Sequence, residues 1–115
     1  MINSIILTGG ENFKRVKSAK TYLMDVQTGK WQQKSLPSLN VARARHSSVS
    51  VQDQTFVACG RGDNSKTLSS VEMLRLGAEA WELIDIPNLT PRTKSILSQI
   101  DQNHICILGG VAREG

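Results

Sequence analysis

The chain has 115 residues, with 14 Lys or Arg against 10 Asp or Glu, and carries a formal net charge of +4. So small a surplus, with a 4% content of aromatic residues, argues against a nucleic-acid-binding groove, which needs clustered basic residues and stacking platforms. The sequence contains no stretch of the ~18 apolar residues that cross a membrane and no basic leader before its first apolar run, so we expect a cytoplasmic protein without a membrane segment.

The first forty residues predict short strands separated by turns. Residues 5–8 form an apolar run that stops at Gly9 and Gly10, and residues 21–26 are rich in β-forming types and end at a turn that contains Gly29. Trp31 begins a further short strand to about residue 35. Pro37 then opens a loop over residues 36–40, because proline cannot continue a ladder of backbone hydrogen bonds.

The central part predicts a hairpin and then an ambiguous segment. Residues 47–51 alternate in polarity, residues 52–54 form a tight turn, residues 55–59 pair back, and residues 61–66 form a polar loop. Residues 68–84 carry apolar side chains at helical spacing, but Gly77 would weaken a helix by about 1 kcal/mol. Because residues 71–76 align with the strand-like residues 21–26, we predict a strand there.

The last part repeats the same order of elements. Pro87 opens a loop, and residues 95–100 and 104–108 form strands on either side of a turn at residues 101–103. Cys59 and Cys106 lie inside apolar runs without metal-ligand spacing. We therefore expect two reduced thiols that pack as small apolar side chains.

The whole pattern recurs with a period of about fifty residues. Glycines end three apolar runs at separations of 51 and 49 residues, and a tryptophan, a proline and an arginine recur at separations of 50, 50 and 49. The matched positions are Gly9, Gly60 and Gly109; Trp31 and Trp81; Pro37 and Pro87; and Arg43 and Arg92. A period of this length, built of short strands, indicates the blades of a propeller.

The repeat resembles the kelch motif. In that motif an arginine precedes a small residue or histidine by three positions, a hairpin leads into a double glycine, and an aspartate precedes a tryptophan by six positions. The matching residues are Arg43 with His46, Gly9 with Gly10, Asp25 with Trp31, Arg92, and Gly109 with Gly110. The departures are Gly60-Arg61 in place of the second double glycine, Leu74-Arg75 in place of the aromatic–acid pair, and Ser95 where His46 stands.

This resemblance implies an all-β fold, an incomplete kelch-type β-propeller of four-stranded antiparallel blades. Residues 1–45 would form most of one blade, residues 46–86 one full blade, and residues 87–115 the first hairpin of a third. The motif glycines would allow close backbone approach. Trp31 and Trp81 would wedge between blades, and Arg43 and Arg92 would bond to backbone carbonyls.

Two repeats are not expected to close a ring, because propellers have about 4–8 blades. An exposed blade face with ~400 Å² of apolar area would forfeit about 10 kcal/mol at ~25 cal/mol per Å². That equals the whole stability of a typical domain, about 5–15 kcal/mol. We therefore expect the remaining blades to come from a longer chain or from other copies.

The resemblance also implies a protein–protein interaction module whose loops at one end hold a partner, as in the substrate-recognising end of a ubiquitin-ligase adaptor. Arg45 and Lys94 each lie two residues after a motif arginine, where a ring of positive charge would accept an acidic peptide. Ordinary solvated loop charge is the alternative interpretation. The loop residues of the candidate partner site are Lys14, Arg15, Arg61, Asp63, Asn64 and Lys66.

No motif in the sequence indicates catalysis. His46 and His104 have no cysteine or carboxylate at metal-ligand spacing, and the sequence has no nucleophile elbow, P-loop or dinucleotide fingerprint. We therefore expect neither enzyme activity nor a cofactor. Two alternatives stay open: a fragment of a propeller enzyme of the oxidase or sugar-acid isomerase class, and an actin-associated structural kelch protein.

Overall fold

Short β-strands dominate the computed structural model, which describes residues 4–31 and 36–112. The strands are β1 (Ser4–Thr8), β2 (Thr21–Asp25), β3 (Ser47–Val51), β4 (Gln54–Ala58), β5 (Val71–Arg75), β6 (Glu82–Ile84), β7 (Ile96–Asp101) and β8 (His104–Leu108). A single 3-10 turn at Asp63–Ser65 interrupts the second polar loop, and no α-helix occurs in the described ranges. The expected all-β class is confirmed, while the predicted strand after Trp31 falls on residues 32–35, outside the described residues.

The strands form separate antiparallel sheets rather than one flat sheet. The first sheet pairs β1 with β2, the central sheet has the order β3-β4-β5-β6, and the third sheet pairs β7 with β8. In the central sheet Ser47 pairs with Ala58, and Ala58 pairs with Val71 on its other side. The strand predicted at residues 71–76 is confirmed as β5, and the helical alternative for residues 68–84 is wrong.

Backbone angles correct the alignment of the repeats by one residue. Cys59, rather than a glycine, occupies the first position of the second pair, and Gly60 occupies the second position, so the pair is Cys59-Gly60 and not Gly60-Arg61. The φ angles at the first position are +63° at Gly9, +63° at Cys59 and +65° at Gly109, and at the second position they are +103° at Gly10, +92° at Gly60 and +99° at Gly110. The spacing of the equivalent residues is therefore fifty at both steps.

The central and third sheets pack face to face through a shared apolar cluster. Its buried members include Ala58 and Cys59 of the central part and Leu97 of β7, and Phe56 and Ile107 pack around them. Backbone bonds join the same two units, because the Gly60 N–H donates to the Arg92 carbonyl at 2.8 Å. The sheets are thus consecutive layers of one stack.

The first and central sheets meet through the segment that connects them. Trp81 is 4% exposed and packs with Leu39, Val57 and Leu74, and its indole N–H donates to the Pro37 carbonyl at 2.9 Å. This tryptophan lies between units as the resemblance implies.

The first tryptophan has a different environment, and its predicted position between two blades stays a prediction. Trp31 is 49% exposed and meets Tyr22 edge-on, with ring centroids 6.1 Å apart. It lies on the face of the first sheet that points away from the central sheet, so no other described element covers it.

Candidate protein-binding surface

The two loops that follow β1 and β4 have the same construction. The Asn12 N–H donates to the Val16 carbonyl at 3.1 Å, and fifty residues later the Gly62 N–H donates to the Lys66 carbonyl at 2.8 Å. The first loop leaves β1 at Thr8, beside the start of β2, and the second leaves β4 at Ala58, beside the start of β3. Each loop also bonds to the segment before the next inner strand, since the Gly10 N–H donates to the Arg43 carbonyl and the Gly60 N–H to the Arg92 carbonyl, both at 2.8 Å. The predicted loop residues therefore lie at one end of the stack, which we call the loop end and which is formed by residues 9–20 and 59–70.

Arg45, Arg61 and Lys94 come together at this end through backbone hydrogen bonds. The Lys94 N–H donates to the Arg45 carbonyl at 3.0 Å, so the two residues lie directly side by side. Arg61 pairs with Ala44 through bonds of 2.7 and 2.9 Å. Arg45 and Lys94 have φ angles of +56° and +59°, which non-glycine residues rarely adopt. The two residues therefore occupy equivalent left-handed positions in their repeats.

One carboxylate, which the sequence analysis did not single out, lies among these cations. Glu11 contacts the Nε of Arg45 at 3.5 Å and the Nζ of Lys17 at 3.2 Å. The hydrogen bond from Lys17 is the main reason that the pKa of Glu11 is lowered, and the charges of Lys17, Arg45 and Arg15 add to it. Arg45 is therefore already paired with a carboxylate within the chain, and its role in binding a partner stays a prediction.

The next repeat lacks that carboxylate. Arg61 stands fifty residues after Glu11, so an arginine occupies the position that holds an acid in the first repeat. Its Nε is buried and has no hydrogen-bond partner among the described residues. Because Lys94 follows the second repeat as Arg45 follows the first, the region around Lys94 and Arg61 has a positive charge that Glu11 does not balance.

The remaining candidate residues lie farther along the loops. Arg15 has φ +62° and its carbonyl accepts from Lys17 Nζ at 3.0 Å, while Lys14 Nζ lies 5.9 Å from the centre of the Phe13 ring. In the second loop Asp63 and Asn64 form the 3-10 turn, and Lys66 follows it. Within the described ranges, no hydrogen bond or ion pair links the side chains of Lys14, Asp63, Asn64 or Lys66 to Arg45 or Lys94.

Phe13 is a surface feature that sequence reasoning missed. Its side chain is 92% exposed at the tip of the first loop. The signal was available, since a lone aromatic in a polar loop has no strand neighbour to pack against. It adds an apolar contact point beside the basic residues of this end.

A buried network holds the loop end in place. Arg43 donates to the carbonyls of Cys59 and Ser70 at 3.0 and 2.9 Å and to the Glu72 carboxylate at 2.8 Å. The other Glu72 oxygen accepts from the Asn40 backbone N–H at 2.6 Å. Arg43 and Glu72 both have 0% exposure, so they fix the turn that carries Arg45.

The equivalent arginine of the next repeat makes fewer hydrogen bonds than Arg43. Arg92 donates to the carbonyls of Thr90 and Gly109 at 3.1 and 3.2 Å, and its bonds are exposed. Both motif arginines thus bond to backbone carbonyls. Only Arg43 has a carboxylate partner in the described part of the chain.

His46 has a structural position in this network. One ring nitrogen lies 2.9 Å from the Thr8 hydroxyl of the first sheet, while Nδ1 is buried without a hydrogen-bond partner in the described residues. Burial, with the nearby positive charge of Arg43 as a second cause, lowers the pKa of His46. The ring is therefore held in its neutral form and joins two sheets.

A groove of about 1010 Å³ lies between the first and central sheets at their opposite end. Its apolar floor includes Ile6, Leu23 and Leu74, and its charged lining residues are Asp53 and Glu79. These carboxylates would repel an acidic partner. The positive charge at the other end makes that end the better candidate for an acidic ligand.

The described residues lack the features of a metal site and of a membrane-spanning helix. Across residues 4–31 and 36–112, no group of three or more His, Cys, Asp or Glu side chains could hold a metal ion. Cys59 and Cys106 are both free thiols. The described residues include no helix of the length and apolar character needed to cross a membrane.

The sequence is similar to that of a known protein. No family model matches the chain. Alpha-scruin of Limulus polyphemus is 30% identical over 99 residues, which cover 85% of this chain and 10% of that protein. The chain thus resembles alpha-scruin over most of its own length but spans about a tenth of the relative's length.

Proposed function

We propose that this chain is part of a kelch-type β-propeller that acts as a protein–protein interaction module and not as an enzyme. The fifty-residue spacing of the left-handed residue pairs, the four-stranded central sheet and the stacking of consecutive sheets support this architecture. The similarity to alpha-scruin supports the kelch-repeat relationship. In this proposal residues 46–86 form one blade, and residues 1–45 and 87–115 belong to its two neighbours.

The proposed binding surface is the loop end, and the proposed partner is an acidic segment of another protein. The observation that carries this is the convergence of Arg45, Arg61 and Lys94, with Glu11 as the carboxylate that Arg45 contacts. Glu11 neutralises one cation, so Arg61 and Lys94 provide the free charge. A partner carboxylate would form charge-assisted hydrogen bonds there, and Phe13 would supply an apolar contact.

The test is the affinity of the chain for a fluorescein-labelled oligoglutamate peptide, measured by fluorescence anisotropy. We expect Arg61→Glu and Lys94→Glu each to weaken binding about tenfold, which corresponds to about 1.4 kcal/mol. The matched control is Lys30→Glu, an exposed lysine that lies after β2 at the opposite end. If Lys30→Glu weakens binding as much as Lys94→Glu, the attraction is general and the proposed surface is wrong.

A second variant should act in the opposite direction. Glu11→Gln removes the carboxylate that contacts Arg45 at 3.5 Å and frees this cation for the peptide. We expect tighter peptide binding, by a factor of about three to ten, and a steeper loss of affinity as salt is added. Unchanged affinity would show that Arg45 takes no part in the site.

The cellular role needs a separate experiment. A ubiquitin-ligase adaptor and an actin-associated protein are two roles that the kelch resemblance implies, and both depend on a protein partner. Cosedimentation with actin filaments separates them. Retention in the supernatant, together with capture of an acidic peptide, favours the adaptor role, and saturable pelleting with filaments favours the cytoskeletal role.

A further inference from the structure

The groove at the opposite end of the stack from the loop end has both of its walls inside the chain. Ile6 and Leu23 are cross-strand partners in the first sheet, and Thr55 and Leu74 are cross-strand partners in the central sheet. All four residues line the groove, so it lies between the facing sides of two neighbouring sheets. Its walls therefore do not depend on where the sequence begins or ends.

A difference between the repeats contributes to the space in this groove. Ile6 stands fifty residues before Phe56, which packs against the cluster that contains Leu97 of the third sheet. Isoleucine is smaller than phenylalanine, so the side chain at this position fills less of the first interface than of the second. The groove has a volume of about 1010 Å³. Since ligand pockets range from about 300 to about 1,000 Å³, this volume is sufficient for a short peptide segment.

The groove has an apolar floor and an acidic rim. Leu36 and Leu74 line it, and Leu76 is 73% exposed at its edge. The Leu76 N–H donates to the Asp53 carbonyl at 2.8 Å, so the two turns that form the rim are held together. Asp53 and Glu79 are both exposed there, and the lining residues in the described ranges include no lysine or arginine. The charge of the rim is therefore complementary to a basic ligand.

We propose that this groove binds a segment of a partner protein in which apolar side chains alternate with lysine or arginine. Alternate side chains of an extended segment point to opposite sides, so the apolar ones enter the groove and the long basic ones reach the rim carboxylates. Burial of the apolar side chains supplies affinity, and the rim charge selects against acidic segments. The groove is separate from the loop end and has the opposite charge.

Fluorescence anisotropy of the purified chain with a fluorescein-labelled pentapeptide of alternating lysine and leucine tests the proposal. We expect saturable binding, and at least about tenfold weaker binding of peptides with glutamate in place of lysine or with serine in place of leucine. Equal binding of the glutamate peptide would show that the rim charge plays no part. Equal binding of the serine peptide would show that no apolar side chain enters the groove. Either result would overturn the proposal.

Ile6→Phe fills the groove without changing its charge. The second repeat has phenylalanine at the equivalent position, so the substitution follows the chain's own pattern. We expect this variant to retain the far-ultraviolet circular dichroism of the parent and to bind the lysine–leucine peptide at least about tenfold more weakly. Unchanged affinity in the folded variant would place the peptide elsewhere and overturn the proposal.

Charge variants test the groove independently if Ile6→Phe does not fold. Asp53→Lys and Glu79→Lys alter exposed side chains, and we expect each to weaken binding of the lysine–leucine peptide about fivefold at low salt. The matched control is Glu82→Lys, which alters an exposed side chain of β6 that does not line the groove, and it should bind like the parent. A loss as large in Glu82→Lys as in Glu79→Lys would indicate general attraction and overturn the proposal.

Sedimentation equilibrium separates a partner segment from a second copy of this chain as the occupant. We expect the average mass of the parent and of Ile6→Phe to depend on concentration in the same way, because no segment of another copy enters the groove. Self-association of the parent that Ile6→Phe abolishes would identify a second copy as the occupant and overturn the proposal.

Discussion

The guanidinium of Arg43 lies 2.8 Å from the carboxylate of Glu72, and both side chains are fully buried. Burial lowers the pKa of Arg43, while the charge of Glu72 opposes that shift. The pair joins the segment between the first two sheets to β5, because Glu72 also accepts hydrogen bonds from the backbone N–H groups of Asn40 and Val41. The position of the loop end therefore depends on one buried carboxylate.

Glu72→Gln should strongly destabilise the chain, because it leaves the Arg43 charge buried without a counter-charge. Removing one partner of a buried ion pair costs about 3–5 kcal/mol, and we expect a loss of stability in that range. Urea unfolding measures it. The matched control is Glu82→Gln in β6, where the side chain is exposed, and its effect should stay within about 0.5 kcal/mol. Equal shifts for the two variants would contradict the assigned role.

Alanine at two equivalent glycines should separate backbone strain from crowding. Gly9 and Gly109 have φ angles of +63° and +65°, so alanine is strained at both. At Gly9 the added Cβ would lie 2.5 Å from the Arg43 carbonyl oxygen and 2.8 Å from His46 Cε1, whereas at Gly109 nothing lies within 4 Å. We expect Gly9→Ala to cost at least about 2 kcal/mol more than Gly109→Ala in urea unfolding. Similar losses would show that the Arg43 carbonyl and the His46 ring move away from the added methyl group at little cost in stability.

Much of the fold could be predicted from the sequence because the relevant signals are local. Apolar runs stopped by glycine and turn residues predicted the hairpins, and the fifty-residue period outweighed the helical spacing at residues 68–84. The register of the second repeat could not be predicted in this way. Cys59 adopts a left-handed conformation at a position where the other repeats have glycine, and side-chain identity gives no sign of that.

The candidate site was only partly predictable because its electrostatics depend on distant residues. The positions of Arg45 and Lys94 followed from the repeat, but their backbone contact and the pairing of Arg45 with Glu11 required coordinates. The carboxylate that pairs with Arg43 could not be predicted from the sequence either. Glu72 lies 29 residues from Arg43 in the chain, and the equivalent position of the first repeat is Tyr22, so the repeat gave no hint of a carboxylate.

The replacement of glycine by Cys59 and of histidine by Ser95 should be coupled. In the first repeat His46 Cε1 would lie 2.8 Å from a Cβ at Gly9, so a histidine at position 95 would meet the Cβ that Cys59 carries. We expect Ser95→His alone to destabilise the chain by about 1–3 kcal/mol. Adding Cys59→Gly should recover most of that loss, which a double-mutant cycle in urea measures. Additive effects would show that the two positions are independent.

Stability should decline as the pH falls from about 6.5 to about 5.5 because of His46. Burial and the charge of Arg43 lower the pKa of this ring from its ordinary value of 6.5. Near that pH, the imidazole therefore binds a proton in the unfolded chain but stays neutral in the folded chain. The stabilisation is therefore complete above pH 6.5 and falls as the pH drops through that value. Glu11 and Asp101 do not contribute in this window, since their pKa values are lowered from 4.5 and 3.8. Urea unfolding across the range should show the decline in the parent and in His104→Gln, whose ring is exposed, and a flatter profile in His46→Gln. A decline that persists unchanged in His46→Gln would assign the pH dependence to another group.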